Sequence, residues 1–129
     1  MPWVEVFSLF VVSHLVGDFA LQTDWQAVHK HSGLARGNTV GHAALLHHGA
    51  SYILAFVPCL IWLASSLSWA VLAVAAAVVV PHVLQDDGRL LGAYMRRVKG
   101  IEPAAIPFVA LGLDQTMHIV ALLLVAIAA

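Results

Sequence analysis

Four stretches of this chain are long and apolar enough to cross a lipid bilayer, and nothing else limits its folds as severely. They cover about 3–22, 40–64, 68–87 and 104–128, against a requirement of about 20 mostly apolar residues for a spanning helix. Charged residues make up only 10% of the 129, where a soluble domain carries roughly a quarter. The expectation is an all-α integral membrane protein: one domain, residues 1–129, formed by a bundle of four transmembrane helices. The first run is longer than the core of a signal peptide and carries Glu5 where such a leader has a basic head, so it reads as a retained span. Cys59 is single and lies in an apolar run, which excludes a disulfide framework and suits a small packed residue.

The second and third runs are joined only by "SSLS", a tight turn. The other two connections hold all six basic residues: Lys30, Arg36, Arg89, Arg96, Arg97 and Lys99. With four spans these connections share a side. The bias of positive charge toward the cytoplasm then places them inside and both termini outside. The expected location is a cell membrane, crossed several times with the basic connections on the cytoplasmic side. For most of these basic residues, orientation and lipid headgroups are sufficient roles. Trp3, Trp62 and Trp69 fall near one predicted interface and Trp25 near the other, as aromatic anchors do.

Polar residues inside the spans are sorted. "HLVGDFALQ" sets His14, Asp18 and Gln22 four residues apart, a spacing that aligns them along one stripe of a helix. "HVLQD" repeats the pattern with His82 and Asp86, and "DQTMH" reverses it with Asp114 and His118. Because the fourth span runs opposite to the first and third, the reversal keeps each aspartate nearer the cytoplasm and each histidine one turn deeper. The second span adds His42 at its mouth and the pair His47–His48. A straight helix cannot put all three on one face, and His47 is the preferred member of the cluster.

Ionisable groups within a bilayer face the bundle interior or a wet cavity, at a cost of a few kcal/mol each on insertion scales. Hydrogen-bonded glue between helices would explain one His–Asp pair. Three pairs in register, with further histidines, point to a working site. Imidazole and carboxylate are the ligands of zinc, manganese or ferrous iron, and helical bundles build metal and dimetal sites from them. The expected ligand set is His14, Asp18, His42, His47, His82, Asp86, Asp114 and His118, around a divalent ion for which zinc is the first choice. Asp18, Gln22, Lys30 and Gln115 are the candidates for catalytic work. Asp18 or Asp86 could instead orient a histidine, and the glutamines could donate to a bound anion. Asp87 is a reserve candidate, while His29 and His31 read as loop histidines. The sequence contains no Gly-rich phosphate loop, nucleophile elbow, paired CxxC or HExxH, and no basic–aromatic surface suggesting nucleic acid.

"HLVGDFALQTDWQAVHKHS" resembles the opening signature of small bacterial and phage membrane proteins grouped as the family DUF3307. The family pattern is a His-x3-Asp-Phe-x2-Gln helix followed by a lysine, then a histidine opening the second span, a later His-x3-Asp, and Asp-Gln-x2-His. These correspond here to His14, Asp18, Phe19, Gln22, Lys30, His42, His82, Asp86, Asp114, Gln115 and His118. The likeness runs from Val12 to Val120. The double histidine at 47–48 departs from it and leaves open which residue of the second span joins the cluster. The resemblance implies a polytopic membrane protein and supports these polar residues as its working set; it supplies no activity.

The leading functional expectation is a membrane-embedded, metal-dependent hydrolase or transferase acting on a lipid-linked or otherwise anionic membrane-proximal substrate. A metal can lower the pKa of bound water and polarise a phosphoryl oxygen. The main rival is a divalent-metal or proton carrier, since paths for ions also use Asp and His. A haem-binding bundle and a non-catalytic scaffold follow. A carrier requires polar groups reaching the far side, but "IVALLLVAIAA" after His118 offers none. A chain this short has few walls for a pocket, so a homodimer stays open.

Overall fold

The computed structural model describes residues 2–129. Among these residues the structure is helical and contains no strand. Helix α1 is Trp3–Leu15, prolonged by the π-helical segment Val16–Leu21. Helix α2 is Asp24–His29, α3 is Thr39–Leu67, α4 is Val71–Asp86, α5 is Arg89–Tyr94 and α6 is Pro107–Ala128. The long helices α1, α3, α4 and α6 pack in a ring, each against two neighbours.

Three helical stretches are long and apolar enough to cross a membrane: Trp3–Leu21, Thr39–Asp86 and Pro107–Ala128. At 48 residues the middle one would extend roughly 70 Å if straight, more than twice the hydrocarbon thickness. Instead it folds back on itself. Ser68 takes the positive φ of 49°, a 3-10 turn follows at Ser68–Ala70, and α4 returns along α3. Pro58 and Pro81 lie inside α3 and α4 without ending either helix.

Val12, Leu54, Ile61, Leu72, Leu124 and Ile127 are exposed around the bundle. Such an apolar exterior suits lipid rather than water. Inside, Val6, Phe10, Phe56, Leu63, Val74 and Ala126 belong to one apolar cluster. Cys59 joins it as a buried, unpaired thiol.

The two polar connections meet at one end of the bundle. The Ser32 N–H donates to the Asp87 carbonyl at 2.8 Å, and the Leu34 N–H donates to the Asp87 carboxylate at 2.7 Å. Asp87 also pairs with Arg89. The reserve candidate of the sequence thus ties the connections together. Neither connection is a plain loop. The first contains α2, started by a capping box in which Thr23 and Gln26 satisfy each other's backbone N–H groups. The second contains α5 and the π-helical segment Met95–Lys99.

Candidate metal centre

The first polar motif departs from the regular helix that its spacing suggests. The backbone widens to π-helical hydrogen bonding at Val16–Leu21, then leaves the helix at Gln22, whose ψ is 127°. Single π-helical turns in α-helices are frequent at functional sites. Within it, Gly17 lets the backbone lie against Tyr52, because a Cβ there would lie 2.7 Å from the Tyr52 ring. His14 and Asp18 still project inward, both buried. Gln22 does not continue their stripe. Its amide turns back, donating to the Asp18 carbonyl at 2.9 Å and accepting from Lys30 Nζ at 3.0 Å.

Around this segment, four elements deliver their polar side chains to one place. Asp86 Oδ2 lies 2.9 Å from His48 Nε2, 3.1 Å from His82 Nε2 and 2.9 Å from Lys30 Nζ. Asp18 Oδ1 lies 3.3 Å from the same His48 nitrogen and 3.5 Å from the same His82 nitrogen. The two imidazole nitrogens are themselves 3.1 Å apart. Despite this crowding, no hydrogen-bond donor is aligned on Asp18 Oδ1 or on either oxygen of Asp86. Carboxylate and imidazole donor atoms converge here, with the Lys30 ammonium against Asp86 and the His48 and His82 nitrogens in hydrogen-bond contact.

Tetrahedral zinc with bonds of about 2.0–2.1 Å sets its ligand atoms roughly 3.3–3.4 Å apart. Five of the six separations among Asp18 Oδ1, His48 Nε2, His82 Nε2 and Asp86 Oδ2 span 2.9–3.5 Å, comparable with those ligand-to-ligand distances. His48, His82 and Asp86 form one group able to hold a metal ion; Asp86, Asp114 and His118 form another, and His14, Asp18 and His82 a third. The first two have lone pairs to spare. In the third, both ring nitrogens of His14 are engaged: Nε2 with Gln115 Oε1 at 2.9 Å, Nδ1 with the Tyr52 hydroxyl at 3.1 Å. With Gln115 oriented so that its amide nitrogen faces Asp18 and Asp114, His14 donates from Nε2 and accepts from Tyr52. It positions its neighbours more than it offers a free ligand atom.

Three expectations from the sequence need correction. On α3 the cluster member is His48, fully buried, while His47 is exposed. His47 packs its ring against Trp25 instead, with centroids 6.2 Å apart. His42 is exposed too, and with His47 it lines a separate surface groove. The signal that separates these histidines is the stripe Ala44, His48, Tyr52, Phe56, Cys59 and Leu63, all buried and spaced as one face of a helix. Third, Lys30, counted above among the basic residues that set orientation, does not reach out to headgroups. It is buried and paired with Asp86.

Tyr52 is the participant that sequence reasoning missed. Its ring lies parallel to that of His82 with centroids 3.4 Å apart, so it fixes that imidazole by stacking while its hydroxyl fixes His14. Its place one turn after His48 on the buried stripe was the available clue.

Beside the cluster lies a cavity of about 460 Å³. Asp18, Gln22, Lys30, Asp86, Asp114 and Gln115 form its polar part; Phe19, Ala27, Leu91, Pro103, Pro107 and Leu111 form apolar walls. All the candidate catalytic residues therefore border one space.

A family model described as a protein of unknown function, DUF3307, matches residues 6–129. No curated protein and no solved structure matches the chain. With all the clustered His and Asp residues inside the matched region, the chain belongs to the DUF3307 family.

Proposed function

We propose that this protein is a membrane-embedded, metal-dependent hydrolase or transferase acting on an amphiphilic substrate with an anionic head, such as a lipid-linked phosphate or ester. One observation carries the reading: buried imidazole and carboxylate groups from four packed helices converge, and the carboxylates Asp18, Asp86 and Asp114 open onto a cavity whose other walls are largely apolar. An anionic head would meet Lys30, the glutamines and the metal ligands, while the attached chain would lie against Phe19, Leu91 and Leu111. Zinc fits the N and O donors; manganese and iron share this ligand chemistry. The ion would polarise the substrate oxygen and activate water. Lys30 and Gln22, already in contact, would orient the charged group.

In the membrane arrangement we propose, the bundle crosses four times, with the basic connections and the cavity on the cytoplasmic side of the bacterial inner membrane. The excess of Arg and Lys in those connections supports this orientation. The apolar cluster packed beyond His14 and Tyr52 does not favour the carrier reading. Nor does the 3.1 Å approach of the His48 and His82 nitrogens leave room for a haem plane between them.

The test is elemental analysis of detergent-purified protein, followed by phosphate release from lipid monophosphates and lipid-linked diphosphates and by ester hydrolysis. Bound metal with turnover abolished by chelator and by His82→Ala is the expected result. Wild-type protein that stays metal-free after incubation with zinc, manganese and ferrous iron overturns the proposal.

A further inference from the structure

Asp86 presents its two carboxylate oxygens to different partners. Oδ2 faces His48, His82 and Lys30, whereas Oδ1 faces His118 Nε2 at 3.5 Å. His118 belongs to α6, and its ring is prepared for ligation. Nδ1 donates to the Asp114 backbone carbonyl at 2.8 Å, which fixes the tautomer and leaves a lone pair on Nε2. That Nε2 is buried and has no hydrogen-bond partner; the whole residue is only 2% exposed. Asp86, Asp114 and His118 offer ligand atoms within 4.8 Å of one another.

We infer that the centre holds two divalent ions, with Asp86 bridging them: one at Asp18, His48 and His82, the other at Asp114 and His118. This rests on the metal-dependent reading above and assigns the two ions different work. The first position has four protein donors including Asp86, the ligand number of structural zinc sites. The second has three. Both border the cavity, the first through Asp18 and Asp86 and the second through Asp86 and Asp114, and the smaller donor set of the second suits the open position that a catalytic ion requires. Paired ions about 3.5–4 Å apart are a recurrent device for clamping a phosphoryl group.

When ionised, three carboxylates and the Lys30 ammonium leave the cluster with two negative charges, which one divalent ion cancels. A second ion leaves two positive charges, and a bound anionic headgroup would offset them. Asp86 Oδ2 has two lone pairs, so the Lys30 contact and a ligand bond are compatible.

The experiment is metal stoichiometry on the intact protein in detergent, using Mn²⁺ as the probe, with electron paramagnetic resonance to detect exchange-coupled pairs. Wild type should bind two ions per chain and show a coupled signal. Asp114→Asn and His118→Ala should each retain one ion and lose the coupling, and Asp86→Ala should lose both ions. Asp114 is only half-buried, so Asp114→Asn leaves the fold in place; circular dichroism and monodisperse elution verify this. One ion in wild type, retained in Asp114→Asn, overturns the bridged pair and leaves the metal-dependent reading intact. No ion in wild type overturns both.

Discussion

The same four long helices enclose two very different interiors. Toward the α3–α4 turn, Val6, Phe10, Phe56, Leu63, Val74 and Ala126 pack into an apolar cluster. Toward the basic connections, His14, Asp18, His48, His82, Asp86 and His118 are just as buried. In lipid the apolar half gains little from hydrophobic transfer, because acyl chains are as apolar as the core; close packing holds it together. The polar half carries desolvation costs that packing does not offset. A bundle needing only stability would extend the first interior through its whole length. On the function proposed, the second serves to bind an ion, and the first closes it off at depth.

Breaking the polar half should have the largest effect. Asp86→Asn removes a charge that faces Lys30 and three imidazoles. Leaving the partner of a buried ion pair uncompensated costs roughly 3–5 kcal/mol. Chemical denaturation in detergent should show a loss of that size, and metal binding should vanish with it.

His48→Ala set against His47→Ala sharpens the boundary between interior and exterior. Isothermal titration with zinc should show binding weakened at least 100-fold in the first variant, beyond the roughly 10–100-fold typical of orienting residues, and unchanged in the second. Equal losses would mean that α3 is rotated relative to the structure described.

Phe10→Ala probes the other half. Since the transfer contribution is small against lipid, only the cavity cost remains, about 2 kcal/mol. Metal stoichiometry should be unaffected. Loss of the ion would show that the two halves are not independent.

The smallest effect is expected for Tyr52→Phe, which keeps the stack on His82 and deletes only the hydroxyl bonded to His14. Orienting partners of a metal site contribute about 10-fold or more in affinity, and one hydrogen bond about 1 kcal/mol in stability. A titration and a melting curve on the same sample measure both.

Much of this arrangement could be read in the sequence because a bilayer simplifies the grammar. Long apolar runs marked the helices, and polar residues four apart marked inward faces on α1, α4 and α6. Two things defeated that reading. Regular periodicity assumes a regular helix, and the π-helical turn that lies against Tyr52 at Gly17 re-aimed Gln22 toward Lys30. On α3 the choice between His47 and His48 depended on following the buried stripe through Tyr52 and Phe56, not on measuring back from His42. The burial of Lys30 depends on α2, a two-turn helix set in a polar connection where periodicity is too short to read. The cavity is tertiary: its walls come from connections as well as from the long helices, and no local spacing announces that.

The central claim, that side chains from separate helices form an ion-binding centre, is tested most directly by an anomalous difference map from crystals grown with zinc. The account predicts a peak within bonding distance of His48 Nε2, His82 Nε2 and Asp86. Well-ordered side chains at these positions with no peak between them, in crystals holding zinc elsewhere, would contradict it.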